Sequence, residues 1–134
     1  MNDLATEIHE LALVLGKRAE AKLRPFGLTY RKYVALFIIA EHPGLTSKDL
    51  ATALGVTESA VSQMLKSLLD QDWVVDTRRQ GDSNKKILSI THSGNKVLRK
   101  AGRNLGNSLD DHVEGLGIDV AELTTTLQTI RESL

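Results

Sequence analysis

The sequence predicts a mainly α-helical fold with a small β-hairpin, and three features of the 134-residue chain support this class. Apolar residues recur every three or four positions in several segments, as they do along the buried face of a helix. Two short β-prone runs, residues 73–75 and 87–90, flank a polar segment and predict the hairpin. Aromatic residues make up only 4% of the chain, so the core must consist of aliphatic side chains, which suits a helix-rich fold.

Two helices are expected in the first third of the chain. The first runs to about Leu23, where Pro25 and Gly27 end it. Its apolar stripe consists of Leu4, Ile8, Leu11 and Leu15. Thr29 is expected to cap the second helix. The buried side of that helix is predicted to contain Tyr33, Leu36, Phe37 and Ala40.

A pair of short helices follows, and a glycine separates them. Thr46 and Thr57 are expected to cap these helices, with Asp49 forming an analogue of a capping box at the first. Gly55 supplies a residue that adopts positive φ without strain, as a tight turn requires. Two short helices joined in this way form a helix-turn-helix, which we place between about Thr46 and Asp72.

The second helix of this pair has one apolar and one polar face. The apolar face contains Val61, Met64, Leu65 and Leu68. The opposite face contains Ser59, Ser62, Gln63 and Lys66. Side chains of this kind contact base edges or phosphates when a helix enters the major groove of DNA. The alternative is an ordinary amphipathic helix pair with a polar surface, and the hairpin that follows favours DNA binding.

The polar segment of the hairpin carries the cations Arg78, Arg79, Lys85 and Lys86. Such side chains can lie along phosphates or enter the minor groove. The alternative is a charged loop that is simply solvated. Thr46, Ser47 and Thr57, at the starts of the helix pair, complete the predicted set of DNA-binding residues.

The C-terminal third predicts two more helices. Thr91 is expected to cap a long helix that reaches about Glu114, where residues 115–117 (Gly-Leu-Gly) break it. Asp119 is expected to open a last helix. The apolar face of that last helix contains Leu123, Leu127, Ile130 and Leu134.

Charge and composition limit the classes of function. The net charge is zero, but residues 57–100 carry a charge of +3 and residues 101–134 a charge of −4, as expected of a DNA-facing middle segment. The chain has no cysteine, which excludes disulfides, thiolate metal ligands and thiol redox switches. No signal-peptide pattern opens the chain, and its longest apolar run is far shorter than the roughly 20 residues of a membrane helix. We therefore expect a cytoplasmic protein with no membrane partner.

With these motifs in place, the sequence resembles the MarR family of winged helix-turn-helix regulators over nearly its whole length. The resemblance rests on residues 27–29 (Gly-Leu-Thr), 41–46 (Glu-His-Pro-Gly-Leu-Thr), 50–62 and 90–94 (Ile-Thr-His-Ser-Gly). It implies a single domain, with a DNA-binding lobe over about residues 29–91 and dimerisation helices over about 1–24 and 92–134. It also implies an obligate two-fold dimer that binds a pseudo-palindromic operator. The apolar stripes at the two chain ends lie outside the winged lobe, so a second copy is a natural partner to cover them. The alternative is that both pack only on the fifth helix of the same chain.

Two positions depart from the family pattern. Asn84 stands where the wing usually has the arginine that enters the minor groove, so Lys85, Lys86 or Arg79 would have to replace that contact. Asp72 stands where a glycine usually joins the recognition helix to the wing, and aspartate tolerates left-handed geometry better than most residues.

The resemblance further implies release from DNA by a small, often aromatic or phenolic, ligand bound between the two lobes. The candidate lining residues are His9, Leu13, Tyr30, Tyr33 and Phe37. The alternative, which we favour for these residues, is ordinary packing. Gly102 and Gly106 lie within a predicted helix, where a close helix approach or a cleft would explain them. No cofactor is expected, and no metal site either, because no two of the four histidines are spaced as ligands on one helix.

Three functions are therefore considered. The first is a homodimeric, sequence-specific DNA-binding regulator, most simply a repressor released by a ligand. The second is a winged-helix protein-interaction module without specific DNA binding, which the zero net charge and Asn84 would suit. The third, an enzyme, lacks support because the chain shows no phosphate-binding loop, catalytic grouping or metal-ligand spacing.

Overall fold

The computed structural model describes residues 2–79, 85–106 and 108–134. They form two compact units, of which the first ends at Asn104 and the second comprises Leu105–Leu134. The first contains α1 (Leu4–Leu23), α2 (Tyr30–Glu41), β1 (Leu45–Thr46), α3 (Ser47–Leu54), α4 (Glu58–Asp70), β2 (Val74–Asp76), β3 (Ile87–Ile90) and nearly all of α5 (His92–Leu105). The second contains α6 (Ser108–Gly115) and α7 (Val120–Ser133). The predicted mainly α class with a small β element is confirmed. No helix in this described part of the chain is both long and apolar enough to span a membrane.

Short polar side chains define where the helices begin. The Thr29 hydroxyl accepts a hydrogen bond from the Lys32 amide at 3.2 Å, and the Asp119 carboxylate accepts one from the Glu122 amide at 3.0 Å. Each side chain satisfies an amide that the first helical turn leaves without a partner. Both predicted caps are therefore confirmed.

The end of α1 also follows the prediction. A single turn of 3₁₀ helix, Arg24–Phe26, continues α1 past Leu23, and Gly27 then adopts a φ of +72°. The Leu28 amide closes this turn by donating to the Leu23 carbonyl at 3.4 Å. The glycine permits the left-handed step that turns the chain into α2.

The core of the first unit consists of aliphatic side chains, and the described residues include no buried polar one. Its fully buried members include Leu23, Leu36, Ile39, Leu50, Leu65, Leu68 and Leu88. The predicted buried side of α2 is partly wrong, since Phe37 is 50% exposed and Tyr33 and Ala40 are half-buried. The helix instead buries Ala35, Leu36 and Ile39, because apolar residues surround its axis and tertiary contacts select the face.

The sheet has three strands in the order β1-β3-β2, all antiparallel. The two-stranded ribbon expected from the sequence was therefore incomplete. Thr46 pairs with Ile87 and Leu45 with Leu88, so the residue that caps α3 also ends a strand. A strand of two residues is too short to produce an alternating pattern, which is why the sequence did not predict it.

The long helix expected after Thr91 is wrong beyond Leu105. Gly106 adopts a φ of +53°, which is outside the helical region, and α6 begins separately at Ser108. A single helix would have aligned the apolar residues Val97, Ala101, Leu105, Leu109 and Val113, which are instead divided between α5 and α6. The unit boundary at Asn104 falls inside the segment assigned to dimerisation, and that assignment stays a prediction.

Candidate nucleic-acid interface

Reciprocal hydrogen bonds fix the start of α3. The Thr46 hydroxyl accepts from the Asp49 amide at 3.1 Å, and the Asp49 carboxylate accepts from the Thr46 amide at 3.3 Å. The capping box expected from the sequence is therefore complete. Hydrogen bonds from Thr46 lower the pKa of the Asp49 carboxyl below its usual value, and the charges of Lys85 and Lys48 lower it further.

The turn between α3 and α4 has the predicted geometry. Gly55 lies in the left-handed region at a φ of +68° and ends α3. Val56 is half-buried behind this turn, and its amide donates to the Ala51 carbonyl at 3.1 Å. Thr57 then starts α4 by accepting from the Ala60 amide at 3.1 Å. Local chemistry thus determines where each helix of the pair begins and ends.

The two faces of α4 have the predicted phase. The buried face comprises Val61, Met64, Leu65 and Leu68. The solvent-exposed residues include Ser59, Ser62, Gln63 and Lys66. Hydroxyl, amide and ammonium groups therefore lie along one outer side of the helix, where they can donate to or accept from a base edge.

The root of the wing lies beside the start of α3. The Ser47 amide donates to the Lys86 carbonyl at 3.2 Å, and the Gly44 amide donates to the Leu88 carbonyl at 3.1 Å. The β1–β3 ladder thus brings Lys85 and Lys86 next to Thr46 and Ser47. Lys85 is exposed and Lys86 half-buried. Four of the predicted DNA-binding residues therefore form one cluster.

Arg78 is held at the base of the wing by Asp76. Its Nε and Nη2 atoms both lie 2.9 Å from Asp76 Oδ2. The other carboxylate oxygen accepts from the Arg78 amide at 3.0 Å and the Ile87 amide at 3.2 Å. Burial raises the pKa of Asp76, but these amides and the Arg78 charge outweigh it, so the pKa lies below its usual value. Arg78 therefore has a structural partner besides any contact with DNA.

The tip of the wing, residues 80–84, lies outside the described residues, and with it the Asn84 position. Arg79, the last residue described before the tip, is exposed. The connection from α4 to the wing is described, and Asp72 adopts a φ of +58° there. The predicted left-handed aspartate is confirmed. The Thr91 hydroxyl donates a hydrogen bond to the Asp72 carbonyl, which helps to hold the turn.

One of the predicted ligand-binding residues, Leu13, lines a groove on the surface of the first unit, and the ligand site itself stays a prediction. An open groove of about 410 Å³ lies along α1 and is lined by Ala12, Leu13, Gly16, Lys17, Glu20 and Arg24. Of the five candidates only Leu13 belongs to this lining, whereas His9, Tyr30 and Phe37 are exposed elsewhere. Periodicity did not indicate the charged residues of the groove, because a helical pattern treats them as ordinary solvent-facing positions.

Two of the predicted ligand-binding residues, Tyr30 and Tyr33, have defined contacts within the first unit. The Tyr30 amide donates to the Glu20 carboxylate at 2.8 Å, which joins the start of α2 to α1. The Tyr33 hydroxyl would stand 3.2 Å from a Cβ built on Gly102, so this glycine permits a close approach of α2 and α5. Burial raises the pKa of Tyr33, and the nearby Tyr30 raises it further.

The helices α1 and α7 each present a stripe of apolar side chains to solvent. On α1 these are Leu4, Ile8 and Leu11, with Leu15 half-buried. On α7, in the second unit, they are Leu123, Leu127 and Ile130, and Leu134 follows the helix as its C-cap. Apolar stripes of this length are unusual on the surface of an isolated chain, so each is a candidate interface. Across the three described ranges, no three His, Asp or Glu side chains cluster as metal ligands.

Comparison with known proteins finds a matching family model and similar transcriptional regulators. The family model described as MarR family matches residues 26–83, which span α2 to the wing. The organic hydroperoxide resistance transcriptional regulator of Bacillus subtilis is 27% identical over 137 residues, covering 99% of this chain and 90% of that protein. The HTH-type transcriptional regulator YwoH of the same species is 30% identical over 94 residues, covering 69% and 67%.

A solved structure agrees over nearly the full length. The transcriptional repressor CouR, bound to a 23-mer DNA duplex, is 26% identical, superposes with a TM-score of 0.85, and is matched over 96% of this chain and 92% of its own. The sequence motifs, the helix-turn-helix with its three-stranded wing and these relatives agree, and the chain belongs to the MarR family of winged helix-turn-helix transcriptional regulators.

Proposed function

We propose that the protein is a homodimeric repressor that binds a pseudo-palindromic operator, with α4 of each copy in the major groove. The observation that carries this proposal is the outer side of α4, where Ser62, Gln63 and Lys66 are exposed in line. These groups match the donors and acceptors of base edges and phosphates. The similar protein CouR is a repressor bound to a DNA duplex, which supports the same partner here.

The other predicted DNA-binding residues around α4 would contact the phosphate backbone of the DNA. Thr46 and Ser47 begin α3, where their hydroxyls and the positive end of the helix dipole favour a phosphate. Lys85 and Lys86 lie beside them at the root of the wing. This single cluster supports a phosphate contact beside the base-contacting helix.

A second copy of the chain would cover the exposed apolar faces. The stripe on α1, containing Leu4 and Leu11, and the stripe on α7, containing Leu127, supply aliphatic surface that a partner would remove from water. A two-fold dimer would present two copies of α4 to half-sites about one helical turn apart. We place the dimer in the cytoplasm.

Release from DNA by a small aromatic or phenolic ligand completes the proposal. The α1 groove joins the apolar side chains of Ala12 and Leu13 to the cations Lys17 and Arg24, which outnumber the one carboxylate of the lining, Glu20. The two cations could pair with an acidic group on an aromatic ring. A thiol cannot be the sensing group, because the chain has no cysteine.

The proposed function is tested by selecting sequences that the full-length protein binds from a randomised library of duplex DNA. We expect one enriched motif with two-fold symmetry and half-sites about 10 base pairs apart. A library that emerges without an enriched symmetric motif would contradict specific operator binding.

A protein-interaction module without specific DNA binding is the second candidate. Its support is the zero net charge of the chain, together with Asn84 in the place of the wing arginine. The two candidates differ in the salt dependence of DNA affinity. A regulator that contacts phosphates loses affinity steeply as salt is added, whereas an affinity indifferent to salt would favour the interaction module.

A further inference from the structure

A hydrogen bond joins α2 to the recognition helix across 35 positions of sequence. The Lys32 ammonium, in the first turn of α2, donates to the Ser67 hydroxyl on α4 at 3.0 Å. Both side chains are half-buried. A charged donor makes this bond stronger than one between two neutral groups, and partial burial limits the competition from water.

The C-terminal end of α4 also stabilises the Lys32 ammonium at this position. Among the described residues, no carboxylate forms an ion pair with its ammonium. Ser67 belongs to the last turn of α4, which ends at Asp70 with Gln71 as its C-cap. The carbonyl end of a helix carries partial negative charge, so a cation is favoured there. The hydroxyl and the helix end together hold the lysine in place.

The position of Ser67 connects this bond to the DNA-facing side of α4. Ser67 follows Lys66 directly and lies one helical turn beyond Gln63. Any rotation of α4 about its axis would move all three residues together. The buried face of α4 anchors one side of the helix, and the bond to Lys32 anchors a second side.

We infer that Lys32, acting through Ser67, is a positioning residue that sets the orientation of α4 for base recognition without touching DNA. This inference rests on the proposed function. A residue of this kind affects affinity for the operator more than affinity for unrelated DNA, since phosphate contacts tolerate a small rotation that base contacts do not.

The test measures operator and non-specific DNA affinity for Lys32→Met, Ser67→Ala and the double variant, each as the full-length chain. We expect each single change to weaken operator binding about fivefold, the range that loss of one net hydrogen bond implies. The double variant should be no weaker than either single variant, because both remove the same bond. Affinity for unrelated duplex DNA should stay within about twofold of wild type.

Two controls separate positioning from other effects. Ser67→Thr keeps the hydroxyl and should restore wild-type affinity, whereas a general packing defect at this site would not be rescued. Lys100→Met removes the same charge from an exposed position on α5 and should leave operator affinity within about twofold. Urea unfolding of every variant shows that the affinities compare folded proteins.

The outcomes decide between distinct mechanisms. If the slope of log affinity against log salt falls in magnitude by about 0.9 for Lys32→Met, the lysine contacts a phosphate directly and the inference is overturned. Fully additive losses in the double variant would overturn it as well. If the wild-type protein selects no operator, the proposed function fails. If it binds an operator and the variants behave additively, only the positioning role fails.

Discussion

The carbonyl oxygen of Trp73 lies directly against Gly94, so close that no Cβ fits between them. The same carbonyl accepts a hydrogen bond from the Thr91 amide at 3.0 Å, and the Thr91 hydroxyl accepts one from the Gly94 amide at 2.9 Å. Thr91, the residue before α5, is thus joined to Trp73, the residue before β2, by a backbone hydrogen bond. This contact fixes the wing to the start of α5.

Replacing Gly94 by alanine should therefore destabilise the fold. The clash is with backbone, which moves less readily than a flexible side chain, so we expect a loss of about 1–3 kcal/mol in the free energy of unfolding. Gly16→Ala is the matched control, because a Cβ on Gly16 meets nothing within 4 Å. That change should stabilise α1 by up to about 1 kcal/mol. Equal urea midpoints for Gly94→Ala and wild type would contradict the contact.

The lowered pKa of Asp76 predicts a pH dependence of stability. A carboxyl whose folded pKa lies below the ordinary value of 3.8 stabilises the fold above that pH, and the stabilisation is lost as the pH falls through the folded pKa. Asp76→Asn should thus be less stable than wild type at pH 6 and should lose less stability on acidification. Urea midpoints measured from pH 6 to pH 3 check this. Parallel pH profiles for the two proteins would exclude Asp76 as a contributor.

Leu127 tests whether the exposed face of α7 is an interface. Leu127 is 48% exposed, so a glutamate there costs an isolated chain little. In a dimer the same change would bury a charge in an apolar contact, and we expect Leu127→Glu to shift the protein to monomers at micromolar concentration. Sedimentation equilibrium measures this shift. Thr125→Glu, also exposed on α7 but off the apolar stripe, is the control. A variant that sediments as wild type would remove α7 from the interface.

Lys66 tests the outer side of α4 without affecting assembly. Lys66→Ala should weaken DNA binding while leaving the dimer intact, because the side chain is exposed and far from the apolar stripes in sequence. If the ammonium contacts a phosphate, the salt slope should fall in magnitude by about 0.9. Fluorescence anisotropy at several salt concentrations gives both quantities, with Lys100→Ala as the control. Unchanged affinity would mean that the DNA-facing side of α4 is phased differently.

Local hydrogen-bond chemistry made much of the fold predictable from the sequence. Thr29, Thr46 and Thr57 each precede a helix because a short hydroxyl side chain can satisfy a free amide of the first turn. Gly55 marked the turn because it is the residue that reaches positive φ without strain. Features that depend on neighbours within four residues could therefore be predicted from the sequence alone.

Features that depend on contacts between residues distant in sequence could not be predicted from the sequence. Phe37 looked buried because α2 is apolar on most sides, and only its neighbours select the face that packs. Gly106 is compatible with a helix interior, so its break of α5 could not be distinguished from a tolerated glycine. The bond between Lys32 and Ser67 joins residues 35 positions apart and has no sequence signal. The same limit applies to the α1 groove.

The central claim, that α4 recognises bases, is tested most directly by repeating the DNA library selection with Gln63→Ala. Gln63 is exposed on the outer side of α4, and glutamine pairs in bidentate fashion with adenine in the major groove. We predict that the variant selects a motif of the same symmetry and spacing but with lost preference at one base pair in each half-site, worth about 1–3 kcal/mol. A variant that selects the wild-type motif with every preference intact would contradict base recognition by this face of α4.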